Sequence, residues 1–352
     1  MSRRRARELG IVLGTLPTGE ADAITDVPGV RVGHTTLVEG DAVRTGVTVV
    51  VPSDGEAVFA GAHRLNGNGE LTGLEWVRES GLLSTPVGLT NTHSVGVVRD
   101  AIVAAGRDAR AGDAWSLPVV GETWDGVLND VEGMHVRAEH LHDALARAAG
   151  GTVEEGNVGG GTGMICHGFK GGIGTSSRVV EEVGGAVVGV LVQANYGRRH
   201  RLRIDGVPVG EEIPVGEVPA PGPASAAGGG SIIAVVATDA PLLPGQCERL
   251  AQRAGLGVAR MGGVGEDSSG DLFLAFATGN RGVASSAPVS VRMLPNEQMT
   301  PLFDAVVEAT EEAIVNALCA AETMTGRDGA TAHELPLARV REVLARRGAL
   351  AS

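Results

Sequence analysis

The apolar positions follow two periodicities that take turns along the chain. Short runs of β-branched and aliphatic residues predict strands, and stretches with apolar residues three and four apart predict amphipathic helices. In the first 200 residues, "GVTVVVPSDG" (46–55) and "TPVGLTNTHS" (85–94) read as strands, while "GVVRDAIVAAGRDA" (96–109) and "VRAEHLHDALARAAG" (136–150) read as helices. "GGAVVGVLVQANYG" (184–197) is almost continuously apolar, the mark of a strand covered on both faces, and it ends at Asn195.

The pattern then breaks. Between Asp205 and Ser225 stand five prolines, at 208, 214, 219, 221 and 223, mixed with Gly, Glu and Ala. Such a stretch reads as an exposed connector, reaching to about residue 230. Beyond it the pattern resumes, with strands at "SIIAVVATDA" (231–240) and "DLFLAFATG" (271–279) and helices at "PGQCERLAQRAG" (244–255), 302–324 and 335–348, the last stopped by Gly348. The two blocks share one style and neither looks self-contained. The expectation is a single α/β domain over residues 1–352, interrupted by a flexible joint.

Composition places the chain in the globular class: 43% hydrophobic and 20% charged residues, with aromatics at 3%, so aliphatic side chains build the core. A net charge of -13 argues against a nucleic-acid partner. The basic "RRRAR" (3–7) reads as a solvated N-terminal segment, since Gly14 and Pro17 break the following stretch and no A-x-A cleavage site follows. No run of 18 apolar residues suggests a membrane span. Cys166, Cys247 and Cys319 are odd in number and far apart, which fits reduced thiols in the cytoplasm, buried rather than catalytic.

Several motifs fail on spacing. The glycine-rich stretch 156–178 has neither the Gly-Lys-Ser/Thr of a phosphate loop nor a dinucleotide fingerprint. His135, His140 and His142, read as lying on one helix, are five and two apart instead of the four that pairs metal ligands, so no metal site is expected. His93 is a weak candidate base without an identifiable nucleophile.

"GGGS" (228–231) directly before an apolar strand reads either as a flexible turn or as a self-cleavage site between Gly230 and Ser231. A serine hydroxyl can attack the preceding carbonyl, and glycine leaves that approach unobstructed. Cleavage would free an α-amine with a reference pKa near about 8, able to act as the base beside its own hydroxyl.

These residues carry a resemblance. "GGGSIIAVVATDAPLLPGQCERLAQRAGLGVARMGG" resembles the start of the smaller piece in the L-aminopeptidase D-esterase/D-amidase and β-peptidyl aminopeptidase family, the self-processing S58 peptidases. "LGTLPTGEADAITDVPGVRVGH", "NGNGELTGLEWVRESG", "LTNTHSVGVVRDAI", "VVGETWDGVLND", "EGNVGGGTGM", "VQANYG" and "SSGDLFLAFATGN" agree in the same order, from about residue 8 to 325. The resemblance implies an αββα four-layer sandwich, similar to N-terminal nucleophile hydrolases with different connectivity, and association of processed units, commonly into tetramers.

It also implies roles. Ser231 matches the nucleophile, Asn195 the oxyanion donor, and Ser269 and Asp271 a serine and acid near the nucleophile, two apart and so on one face of an extended segment. Relatives carry glutamate where this chain has the shorter Asp271. Glu122 matches the carboxylate that holds the substrate's free ammonium, and Trp124 stands where one branch has tyrosine and the β-aminopeptidase branch tryptophan. "NGNGE" (66–70) is a signature without an assigned chemical role. The implied activity is release of a small N-terminal residue from short peptides, amides or esters through an acyl-enzyme, with no cofactor. The alternatives are an acyltransferase of the ornithine acetyltransferase kind, against which Ser231 and "QANYG" count, and a homologue that neither cuts itself nor catalyses.

Overall fold

The computed structural model describes residues 4–107, 115–222 and 230–350. Its strands are β1 (Arg31–Glu39), β2 (Val43–Val51), β3 (Val58–Gly67), β4 (Leu82–Leu83), β5 (Val87–Asn91), β6 (Val119–Thr123), β7 (Ile165–Cys166), β8 (Phe169–Lys170), β9 (Gly172–Val180), β10 (Ala186–Asn195), β11 (Gly230–Thr238), β12 (Ser269–Ala277), β13 (Met324–Thr325) and β14 (Thr331–Ala332). Its helices are α1 (Leu74–Ser80), α2 (Val95–Ala105), α3 (Ala138–Arg147), α4 (Val209–Glu212), α5 (Pro244–Arg260), α6 (Thr300–Ala320) and α7 (Leu337–Arg346).

Two sheets carry the fold, ordered β1-β2-β5-β6 and β4-β3-β12-β11-β10-β9. The larger draws strands from both sides of the proline-rich stretch. Its centre is the parallel pair β11–β12, flanked by antiparallel β10 and β3. The burial of β11 shows how the layers stack. Ile233, Val235 and Ala237 meet Leu89, Val119 and Val50 of the facing sheet. Ile232, Ala234 and Val236 point the other way, into a cluster with Leu250, Ala254, Val306 and Ile314 of α5 and α6. On the far side, Val47, Val49 and Val120 pack against Val98 and Ile102 of α2 and Leu141 of α3. A strand buried on both faces needs apolar residues at every position, hence the unbroken "IIAVVA" (232–237). The result is the expected αββα sandwich.

Three expectations need correction. The proline-rich stretch is not a loose connector over its length: Val207, Val209 and Ile213 are buried in the α5–α6 cluster, Val209–Glu212 forms a helical turn, and Arg199 donates to the carbonyls of Ile213 and Val218. Aliphatic residues between the prolines anchor it; residues 223–229 lie outside the described residues. The basic segment is pinned at Arg5 and Arg7 rather than solvated along its length, while Arg4 is exposed and Arg3 lies outside the described residues. Arg5 donates to Glu155 at 2.8 Å, and Arg7 donates to Glu312 at 2.7 Å, where Arg178, fully buried, gathers Glu308 and Glu312 at 3.0 and 2.6 Å and leaves carboxylate oxygens facing the N-terminus. His135 lies ahead of α3, which holds only His140 and His142. Among the described residues no helix is long and apolar enough to cross a membrane.

Candidate active site

At one end of the sandwich the sheets part around a cavity of about 540 Å³. The C-terminal end of β10 and the N-terminal end of β11 form its floor, where Asn195 and Ser231 are direct register partners. Both side chains share the inter-sheet face with Gln193 and Ile233, by the alternation that runs through the two strands. Ser231 Oγ accepts the Gly270 N–H at 3.1 Å. Asn195 is locked at both atoms: Oδ1 accepts the Ile165 N–H at 2.8 Å, and Nδ2 donates to the Trp124 carbonyl at 2.9 Å.

Gly230 explains its own identity. A Cβ there would lie 2.0 Å from the Asn195 carbonyl oxygen and 2.9 Å from Tyr196 Cα, so any side chain would force β10 and β11 apart.

Glu122, at the end of β6, reaches the cavity from the smaller sheet. Its Oε1 accepts the Glu70 N–H at 3.0 Å and its Oε2 the Thr92 hydroxyl. Burial pushes its carboxyl above the ordinary glutamate range, and these two hydrogen bonds oppose the shift. Trp124 lines the cavity with its side chain half exposed. The "NGNGE" stretch, left without a chemical role from the sequence, supplies Asn68, Gly69 and Glu70 to the wall and the donor to Glu122. Thr92, Ile165, Gly168, Gly197 and Ser268 also line it. Only a long-range pairing brings these segments together, so periodicity could not find them.

Ser269 and Asp271 share a face, as their spacing predicts, and Ser269 Oγ donates to Asp271 Oδ1 at 2.6 Å. That face is not the one bearing the Ser231 hydroxyl. Asp271 pairs with Ile232, whose side chain points to the helices, so the Ser269–Asp271 pair lies on the helix side of the sheet. There it borders a small cavity with Gly230 and Tyr196. The pair therefore flanks the backbone at Gly230–Ser231, where a freed amine would lie. Burial raises the Asp271 carboxyl, opposed by the Ser269 hydroxyl and the Ile232 N–H. His93 is half exposed with Glu132 at 3.8 Å, and all three cysteines are buried.

The model of Peptidase family S58 matches residues 22–332. The chain belongs to peptidase family S58. It is 49% identical to "Beta-peptidyl aminopeptidase BapA" of Sphingosinicella microcystinivorans, over 97% of this chain and 91% of that one. Among solved structures it superposes on a Burkholderia sp. beta-aminopeptidase with a TM-score of 0.92 at 55% identity, over 98% and 99% of the two chains. The L-aminopeptidase D-Ala-esterase/amidase of Ochrobactrum anthropi, described as a variant of the Ntn hydrolase fold, matches with a TM-score of 0.91 at 43% identity, over 99% of each chain. This S58 chain shares the fold of those enzymes and is a serine aminopeptidase hydrolase like them.

Proposed function

We propose that the protein cuts itself between Gly230 and Ser231 and then, with Ser231 as N-terminal nucleophile, releases small N-terminal residues from peptides, amides or esters. One observation carries this reading: the Ser231 hydroxyl, the Asn195 amide and the Glu122 carboxyl converge on a single cavity.

In self-cleavage, Ser231 Oγ attacks the Gly230 carbonyl carbon. The peptide nitrogen leaves as the Ser231 amine, taking up the proton, and water hydrolyses the resulting ester. In turnover that amine accepts the hydroxyl proton as Oγ attacks the carbonyl of the substrate's first residue. An Asn side chain has two N–H donors. One is spent on the Trp124 carbonyl, and the other meets the oxyanion. The leaving amine or alcohol takes the proton, and water then frees the acyl group.

Glu122 holds the substrate ammonium, which favours a free N-terminus over an internal segment. Ser269 and Asp271 orient the Ser231 amine from the helix side. The names of the relatives above and Trp124 support β-configured residues among the accepted N-termini. Processed units assemble into homo-oligomers, tetramers by the family pattern, and work in the cytoplasm.

The test compares wild type with Ser231→Ala on a free and an N-acetylated substrate. The variant is expected to stay whole and inactive, and acetylation to lower turnover strongly in the wild type. Cleavage in the variant, or equal rates on both substrates, would overturn the reading.

A further inference from the structure

Tyr196 follows the oxyanion donor in sequence, yet its side chain turns to the opposite face of the sheet. It is almost fully buried in the α5–α6 cluster, with its ring edge-on to His167 at 5.0 Å and its backbone carbonyl accepting the His167 N–H at 2.7 Å. Its hydroxyl is buried without a hydrogen-bond partner among the described residues. Buried phenols ordinarily find one, because a buried polar group left unpaired bears its full desolvation penalty.

Tyr196 shares a small cavity with the Ser269–Asp271 pair. Tyr196, Gly230, Ser269 and Asp271 together line a cavity of about 10 Å³, close to the space one water needs. Asp271 accepts from the Ser269 hydroxyl and the Ile232 N–H, which leaves further lone pairs on its two oxygens.

We propose that Tyr196 is a positioning residue for the reaction: its hydroxyl, through one water in this cavity, donates to Asp271 and holds the carboxylate against the Ser231 amine. The inference rests on the assignment of Ser231 as an N-terminal nucleophile. The phenol donates to the water and the water donates to Asp271, so the relay stabilises the ionised carboxylate. The bridge spans the methylene by which Asp271 falls short of a glutamate. Other titratable groups near the phenol are Cys166 in β7, His167 directly after it, Glu266 ahead of β12 and Glu311 on α6, with Arg198 and Arg201 neutralising Glu266.

The experiment takes purified Tyr196→Phe, Asp271→Glu and the double variant, with intact mass recorded first. Wild type that lacks a fragment beginning at Ser231 refutes the nucleophile assignment, whereas loss of that fragment in Tyr196→Phe alone refutes the positioning role as stated. In processed protein, Tyr196→Phe is expected to lower kcat about tenfold with KM unchanged, and to move the acid limb of the kcat/KM profile to higher pH, since Asp271 loses a donor to its charged form. In the Asp271→Glu background the longer side chain occupies the cavity, and adding Tyr196→Phe is expected to change kcat by less than about twofold. An unshifted acid limb in Tyr196→Phe, or an undiminished loss in the Asp271→Glu background, would overturn the proposal.

Discussion

Ser231 and Asn195 are opposed residues at the open end of the β10–β11 ladder, so one register places the proposed nucleophile and the amide proposed for its oxyanion side by side. The amide cannot turn away, because the Ile165 N–H and the Trp124 carbonyl demand opposite ends of it. Replacing Asn195 by Ala is expected to lower kcat by about 10²–10³, the usual cost of losing one oxyanion donor. Steady-state rates on protein already processed would measure this, and a loss below about tenfold would take Asn195 out of the role.

Glu122 makes a second prediction, with a defined sign in pH. Its buried carboxyl has a raised pKa, so it loses its charge as pH falls through a range above that of an ordinary glutamate. In the proposed role, ammonium binding needs the charge, so kcat/KM for amine substrates is expected to fall on the acid side of that range. Glu122→Gln is expected to reduce kcat/KM about 30-fold or more, mostly through KM, and to remove that part of the acid limb. An unchanged KM would contradict it.

Gly230→Ala is expected to slow self-cleavage at least about tenfold, because the new methyl meets the Asn195 carbonyl and pushes Ser231 from its register partner. A time course of intact mass after refolding would follow the precursor. Processing at the wild-type rate would mean that the glycine serves only as a hinge.

The N-terminal anchor gives a stability prediction. Arg178→Met leaves Glu308 and Glu312 without their buried cation, with Arg7 still on Glu312. The expected loss is about 3 kcal/mol, read from urea unfolding, and a loss under about 1 kcal/mol would show that the cluster relaxes.

How far the chain could be read follows from which interactions are local. β10 and β11 were legible because a strand buried on both faces is apolar throughout, and Asn195 and "GGGS" mark where each meets the cavity. β1 and β3 were missed: His34 and Thr35 interrupt the first, and His63, Arg64 and Asn66 the second, so neither forms a clean apolar run. The role of Arg5 and Arg7 was hidden because their partners Glu155 and Glu312 lie 150 and 305 residues away. Spacing placed Ser269 and Asp271 on one face, but only the register with β11 reveals that it is the face opposite the Ser231 hydroxyl.

Intact-mass spectrometry of the purified wild-type protein, with N-terminal sequencing of any fragment, tests the central claim most directly. The account predicts two pieces, one ending at Gly230 and one beginning "SIIAVV". A chain that stays whole while it hydrolyses a free-amine substrate would contradict it, since Ser231 would then have no α-amine to act as its base.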